Sequence, residues 1–292
     1  MSYLFGHWSF DPMLIGVLVV IVAHELGLSR LKRRSTPANT RRRRYRSLVF
    51  YGGLAVMVAA IVSPIDYWAS DYFWVHMIEH VMLAISAPML IVLGAPWIPF
   101  VFALPVTPRR RLVSWLVRSP GAHFLRVVGQ ALRNKWVALV GFNAVMVLWH
   151  LPGPFESAES NSAVHIWLMH GSFIVTGLLF WMSIFDSYPL RATATALWKV
   201  GAILVTNLTM TVLAMSMSIL TTSSWYANYA HVPGVTFPPF DSQQIGAAIL
   251  WVCGDIWALP ALIVVFRQLM RNEGSISDAL ERMLGRSEPA PA

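Results

Sequence analysis

Charged residues are scarce in this chain: they make up 12% of its 292 residues, whereas apolar residues make up 56%. Soluble domains carry about 25% charged residues, so this composition excludes an ordinary soluble protein. Cysteine is almost absent as well. The single Cys253 excludes an internal disulfide and any metal site built from paired cysteines. No polar stretch is long enough for a separate soluble domain, so we expect one polytopic membrane domain.

Apolar segments of a length that crosses a bilayer, about 17–25 residues, recur along the chain. We predict an all-α bundle of seven transmembrane helices in a membrane domain at 1–271, followed by a cytoplasmic tail at 272–292 with a short helix at 277–285. The predicted spans are 12–28, 47–63, 74–94, 136–151, 163–185, 198–220 and 245–269. The N-terminus lacks the basic region of a cleaved signal peptide, so we expect the first span to be retained.

Basic residues lie on only one side of this arrangement. With seven spans, all 22 Lys and Arg residues fall in alternate segments, and the segments between them have none. The basic segments are 30–46, 109–135, 191–199 and 267–286, and the others are 1–11, 64–73, 152–162 and 221–244. Positively charged loops stay in the cytoplasm, so we predict an outer N-terminus and a cytoplasmic C-terminus. Topology and lipid contact account for the net charge of +8, and we expect no nucleic-acid binding.

Two segments between the spans have a distinctive composition. Residues 109–133 mix arginine with apolar residues, which predicts two amphipathic helices lying on the cytoplasmic surface. The outer segment 221–244 contains three prolines and several aromatic residues. Proline-rich segments of this kind predict an ordered, lid-like loop without regular secondary structure.

Five of the nine histidines lie near the outer ends of three predicted spans; they are His76, His80, His150, His165 and His170. Ionisable side chains inside a bilayer cost about 2.5 kcal/mol or more, so they usually mark function, and imidazole is the commonest protein metal ligand. In His-Met-Ile-Glu-His, His76 and His80 are four residues apart, so one helix face carries both imidazoles within reach of one metal ion. Simple hydrogen bonding to neighbouring helices is the alternative for this pair.

His165 and His170 fit a shared site less well. On an α-helix, a spacing of five residues places two side chains about 140° apart. We therefore expect that at most one of them meets the pair on the third span, while Met169 shares a face with His165.

Methionines cluster toward the same end of the predicted spans, and Met215 and Met217 near the end of span six are the favoured candidates. Thioethers combined with imidazoles suit Cu(I) better than calcium or magnesium. Methionine is also an ordinary apolar filler of helix bundles, so packing is the alternative role.

Four acidic residues are candidates for supporting such a site. Glu79 lies beside the histidine pair, where it could bind the metal, orient a ligand or bond to a neighbouring helix. Asp66 and Asp241 lie in outer segments, where they could draw a cation toward the site. Asp255 lies near the middle of the last span, where an unpaired charge is costly, so we expect it to be protonated or paired with another span.

An ordered set of motifs resembles the CtaG-type cytochrome c oxidase assembly factors over about residues 10–270. The motifs are Ser63-Pro64 with Asp66; His76 to His80; Ala87 to Leu90 and then Gly94-Ala95-Pro96; Trp149-His150 with Pro152 and Phe155; His165 and His170 with Gly177 and Phe180-Trp181; and Asp241 to Gly246 with Trp251. The resemblance implies a multi-pass protein of a bacterial plasma membrane, linked to copper delivery and to cytochrome c oxidase subunits as partners.

Together these observations predict an outward-facing, histidine-rich site that binds Cu(I) and holds it or relays it to an oxidase subunit. No arrangement of catalytic residues indicates an enzyme. A haem-binding electron carrier is disfavoured because His76 and His80 share one helix face, whereas haem usually takes its two histidines from separate helices. A metal transporter lacks support from any inverted repeat, and a chaperone with purely structural histidines is the third alternative. The partner subunit and the oligomeric state stay open.

Overall fold

The computed structural model of the chain describes residues 6–32, 36–230 and 232–273. About 81% of the structure is helical, and these residues form no β-strand, which confirms the all-α prediction. The helix predicted at 277–285 lies outside the described residues, as does nearly all of the predicted tail.

Thirteen α-helices follow one another along the described part of the chain. They are α1 (Met13–Lys32), α2 (Pro37–Val62), α3 (Pro64–Ala69), α4 (Phe73–Val81), α5 (Ala87–Gly94), α6 (Trp97–Ala103), α7 (Val106–Arg118), α8 (His123–Leu132), α9 (Lys135–His150), α10 (Pro152–Glu159), α11 (Gly171–Ile184), α12 (Ala196–Ser218) and α13 (Pro239–Glu273). Two π-helical segments, Met82–Ser86 and Val164–His170, join α4 to α5 and lead into α11.

Six continuous helical segments are long and apolar enough to cross a membrane. They are Met13–Lys32, Pro37–Val62, Phe73–Gly94, Val164–Ile184, Ala196–Ser218 and Pro239–Arg267. The seventh predicted span, 136–151, corresponds to α9, whose 16 residues reach only about 24 Å. α9 is long and apolar enough to count as a membrane span only when it is joined to Pro120–Leu132, and these two segments meet at a bend of 75°. The multi-pass helical bundle is confirmed, with six spans or up to seven, and the orientation of its termini stays a prediction.

Proline explains two of the boundaries near the histidines. Leu151 precedes Pro152 and is extended, so α9 ends at His150 and a new helix starts at the proline. Pro88 lacks a backbone N–H and its ring crowds the carbonyl of Ala84, one turn before it, which accounts for the wider π-helical turn there. Gly177 of α11 packs against this turn so closely that an added Cβ would lie 2.3 Å from the Ala84 carbonyl oxygen.

The segment after α12 is an ordered loop, pinned by hydrogen bonds to three parts of the bundle. The Gln243 side chain accepts from the Trp225 backbone N–H and donates to the Met217 carbonyl. The Tyr226 hydroxyl donates to the backbone carbonyl of His150. A short 3₁₀ turn, Ala227–Tyr229, is its only regular structure in the described part. The predicted end of the loop at 244 was wrong, because α13 begins at Pro239.

The two predicted surface helices are present as α7 and α8, and neither has a buried side chain. The Arg126 guanidinium donates to the carbonyls of Leu116 and Ser119, so it fastens α8 to the end of α7. Exposed arginines and apolar residues along both helices suit the surface of a membrane.

Candidate metal centre

All five predicted histidines meet at the end of the bundle that has no Lys or Arg, and we call them the histidine cluster: His76, His80, His150, His165 and His170. The ring centroids of His76 and His80 are 4.2 Å apart, and those of His80 and His150 are 5.5 Å apart. His165 lies 5.5 Å from His76 and 4.3 Å from His170. Four of the rings are fully buried, and only the side chain of His165, at 19%, keeps some exposure.

The expectation that His165 and His170 point to different sides was wrong, because both belong to the π-helix Val164–His170. A π-helix bonds residues five apart, so residues with this spacing stack along one face. The side-chain amide oxygen of Asn161 accepts from the N–H groups of Ala163 and Val164 and caps the start of this segment. Consequently His165 lies beside His76 while His170 lies beside His80, at 6.4 Å between centroids.

A tyrosine sets the tautomer of His76. The Tyr229 hydroxyl lies 2.9 Å from the Ala69 carbonyl, to which it donates, and 3.1 Å from Nδ1 of His76. Since a hydroxyl has one proton, it must accept from Nδ1–H of His76. In a neutral imidazole, the other nitrogen then carries a lone pair. Nε2 of His76 therefore carries the lone pair, which accepts a hydrogen bond from Nε2–H of His80 at 2.7 Å.

Other nitrogens of the cluster are buried without hydrogen-bond partners. Nδ1 of His150 lies 2.6 Å from the Met146 carbonyl and donates to it, so its Nε2 carries a lone pair, which has no partner. Nδ1 of His80 and both ring nitrogens of His170 also lack one. Buried polar atoms are nearly always paired in proteins, so this concentration of unpaired nitrogens marks the place as a candidate ligand site.

Two glutamate carboxylates lie against the histidine cluster. Glu79 is fully buried, has no hydrogen bond to either oxygen, and lies 3.3 Å from Nε2 of His170 without the alignment of a hydrogen bond. Glu159 lies 2.7 Å from Nδ1 of His165 and 3.8 Å from Nδ1 of His76. Burial raises the pKa of Glu159, but the neighbouring His76 and His165 together lower it by more than this rise. The net pKa of Glu159 is therefore below its ordinary value.

The cluster contains two groups of three ligand atoms that could each hold one cation, each group with its atoms within 4.8 Å of one another. One group is His76, Glu159 and His165, and the other is Glu79, His165 and His170. Metal–imidazole bonds are about 2.0–2.1 Å long, so two nitrogens on one tetrahedral ion lie about 3.3 Å apart. The Nε2 atoms of His76 and His80 would therefore separate by about 0.6 Å to share an ion.

Two further acidic residues lie near enough to His165 to interact with its charge. Asp66 accepts a hydrogen bond from the Ser9 hydroxyl, and Asp11 accepts from the Met13 N–H at 2.6 Å. Burial raises the pKa of both Asp11 and Asp66, and the nearby His165 partly offsets the rise. Asp66 thus lies close enough to His165 to interact with it electrostatically, and its role in attracting a cation stays a prediction.

The structure places the remaining predicted residues away from these donor groups. Asp241 is exposed on the first turn of α13, not in a loop, and Met215 is 37% exposed on the side of the bundle. Met217 is buried in the apolar core. Asp255 is exposed on α13 and accepts a hydrogen bond from Asn207 of α12 at 3.0 Å, which agrees with its expected pairing to another span.

Sequence reasoning missed Tyr229, Glu159 and Asp11 as parts of the site. Asp11 and Glu159 were visible only as acids in segments without basic residues, and Tyr229 as one aromatic of the proline-rich loop. Their places depend on how distant segments pack, and no local spacing indicates it.

The family model for the cytochrome c oxidase caa3 assembly factor matches residues 22–272 of the chain. Similar curated proteins include uncharacterised proteins of Mycobacterium bovis and Mycobacterium tuberculosis, each 25% identical over 289 residues, and of Mycobacterium leprae, 23% identical over 294 residues. Each match covers 94% of this chain but 41% of the relative, so the chain spans less than half the length of these relatives. No solved structure matches significantly.

Proposed function

Because the chain belongs to the cytochrome c oxidase caa3 assembly factor family, we propose that it binds copper at the histidine cluster and helps deliver the ion to the copper centre of the oxidase. One observation carries the proposal: imidazole nitrogens and carboxylate oxygens converge, buried and largely unpaired, at one end of the bundle. We further propose that this role is not enzymatic, with copper as cargo.

The chemistry of the donor set supports copper among the candidate ions. Imidazole suits copper, zinc and iron, whereas sites for magnesium and calcium are built from oxygen donors. The family membership then favours copper over zinc and iron. We propose Cu(I) as the form carried, held by histidine nitrogens, since Met215 faces outward and Met217 lies in the apolar core.

The shared position of His165 supports stepwise movement of the ion. His165 belongs to both donor groups and is the most exposed of the five histidines. An ion that arrives past Asp66 and Asp11 would meet His165 and Glu159 first, and could then exchange one ligand at a time for the fully buried rings. Under the predicted topology this entrance faces the outside of the cell.

The geometry disfavours the haem alternative. His76 and His80 already face each other at 2.7 Å between Nε2 atoms, and the other rings follow within 4.3–6.4 Å between centroids, so no gap for a porphyrin lies between them. An absorption spectrum of the purified protein checks this, because haem gives an intense Soret band. Uptake of copper into sealed vesicles would instead identify a transporter.

The deciding experiment is metal analysis of full-length protein purified without chelator and reloaded with Cu(I) or, separately, Cu(II). We expect wild type to retain copper and His76→Ala/His80→Ala to lose it. His24→Ala is the matched control, because His24 is equally buried but bonds to Tyr51 near the basic end of the bundle. If the double variant holds as much copper as this control, the cluster is a packing feature. Tighter retention of Cu(II) would correct the proposed oxidation state.

In the host, each single variant, His76→Ala and His80→Ala, should lower oxidase activity while the protein stays in the membrane at normal amounts. The His24→Ala control should leave oxidase activity unchanged. Unchanged oxidase activity in both cluster variants would separate the histidines from oxidase assembly even if they bind metal in detergent.

A further inference from the structure

Two polar residues that contact each other lie halfway along the membrane-crossing helices α12 and α13, on the side of these helices that faces away from the bundle. Asn207 is the central residue of α12 (Ala196–Ser218), and Asp255 lies near the centre of the membrane-crossing part of α13, Pro239–Arg267. The Asn207 side-chain amide donates to the Asp255 carboxylate at 3.0 Å. Two mid-helix positions on neighbouring spans are therefore polar at the same depth.

The surroundings of Asp255 are apolar and face outward. On α13 the neighbouring positions of the same face are Val252, Ile256 and Leu259, with 55%, 64% and 61% exposure. On α12, Leu204 and Leu208 lie one turn or less from Asn207, with 54% and 62% exposure. Asp255 itself is exposed on this face. Its carboxylate therefore interrupts a strip of apolar side chains that would face the lipid tails.

A carboxylate in this position needs a partner from outside the chain. Ionisable residues at the centre of a span almost always face the interior of a bundle or a water-filled cavity. One hydrogen bond from Asn207 leaves most of the acceptor capacity of Asp255 unused, because a carboxylate has about four acceptor positions. Lipid tails provide no hydrogen-bond donor.

We propose that this face of α12 and α13 docks a transmembrane helix of the oxidase subunit that the protein assists, and that Asp255 accepts a hydrogen bond from a polar or cationic side chain on that helix. The existence of the docking surface follows from the position of Asp255, and only the identity of the partner rests on the proposed function.

Charge complementarity favours such a partner over a second copy of this chain. A two-fold symmetric contact centred on this face would bring the same surface patch of both copies together. The two Asp255 carboxylates would then approach each other, and like charges repel strongly where the dielectric is low. A helix that presents a donor avoids this repulsion.

The test is photocrosslinking in membranes that contain the full chain and the co-expressed oxidase subunits. A photoreactive residue at position 256 should crosslink to a transmembrane helix of an oxidase subunit. The same residue at position 18 is the control, since Leu18 is similarly exposed, at 54%, on the distant helix α1. Crosslinking from both positions alike, from 256 only to another copy of this chain, or from neither position, would overturn the proposal.

Two substitutions then test the polar anchor. Asp255→Leu should lower crosslinking from position 256 by about threefold to eighteenfold, the range that one hydrogen bond between membrane helices supplies. Asp255→Asn keeps an acceptor oxygen and should stay close to wild type. If Asp255→Leu crosslinks from position 256 as strongly as wild type, Asp255 does not hold the docked helix by a hydrogen bond.

Copper content separates this inference from the proposed function. Asp255→Leu should retain the copper of wild type, because Asp255 lies outside the donor groups, and this retention also shows that the variant folds. If wild type binds no copper but crosslinks as expected, the copper proposal fails and the docking surface stands.

Discussion

Replacing Tyr229 with Phe tests the proposed copper site through a residue that would not bind copper itself. The substitution removes one oxygen, which lies 3.1 Å from Nδ1 of His76 and 2.9 Å from the Ala69 carbonyl. Nδ1 then loses the acceptor that lies within hydrogen-bond distance, so the tautomer with its lone pair on Nε2 is no longer favoured. Residues that orient metal-bound histidines typically contribute about 10–100-fold to metal affinity. We expect the affinity of Tyr229→Phe for Cu(I) to fall by that factor, measured by competition with a chromogenic chelator in detergent.

Tyr226→Phe is the matched control for this prediction. Tyr226 lies three residues away in the same loop, is equally buried, and donates its hydroxyl proton to the backbone carbonyl of His150. Each variant loses one buried hydrogen bond, worth about 1 kcal/mol of stability, but only Tyr229 contacts an imidazole nitrogen. Wild-type affinity in Tyr229→Phe would refute the tautomer argument, and equal losses in the two variants would show that loop stability alone controls binding.

Three further predictions concern topology, pH and entry. With Cys253 replaced by serine, an impermeant thiol reagent should label Ser160→Cys but not Thr40→Cys in intact cells, and outside labelling of Thr40→Cys would overturn the orientation. Burial raises the pKa of Asp66, so its ionised form is disfavoured in the folded state and its contribution to stability declines as pH rises through the raised pKa. Asp66→Asn should therefore have a higher melting temperature than wild type near pH 7 and lose this advantage below about pH 4, where both side chains are neutral. A difference in melting temperature that does not depend on pH would contradict this reasoning. His165→Ala should slow copper loading relative to wild type, and an unchanged loading rate in stopped-flow measurements would exclude it as the entry ligand.

The helical bundle could be predicted from the sequence because its determinants are local. Length, apolar composition and the one-sided placement of basic residues act within each segment, and the spans follow from them. The fourth span shows the limit of this reasoning. α9 has only 16 residues because Pro152 forces Leu151 into an extended conformation, and whether α8 extends it depends on a bend of 75° between them.

The arrangement of the candidate metal centre was predictable only in part, for a physical reason. His76 and His80 share a face because their helix is regular, and the structure places them as the four-residue spacing predicts. His165 and His170 follow a different period, because a π-helix replaces the α-helix at their position. The hydrogen-bond pattern of that turn depends on its neighbours, so the five-residue spacing misled a prediction based on 3.6 residues per turn.

The two proposed activities are connected by α13, which packs directly on the helix that carries His76 and His80. The Ser242 hydroxyl accepts from the Trp74 N–H, and Gly246 lies against Phe73 and Met77, so the first turns of α13 adjoin the helix that carries His76 and His80. Asp255 lies 14 residues after Asp241, which is about 21 Å farther along the same helix. A client helix anchored at Asp255 and running along α13 would therefore emerge from the membrane beside the histidine cluster. Its adjoining segment would then lie next to the histidine cluster, which would let the proposed copper ion pass to the client by ligand exchange rather than through open solvent.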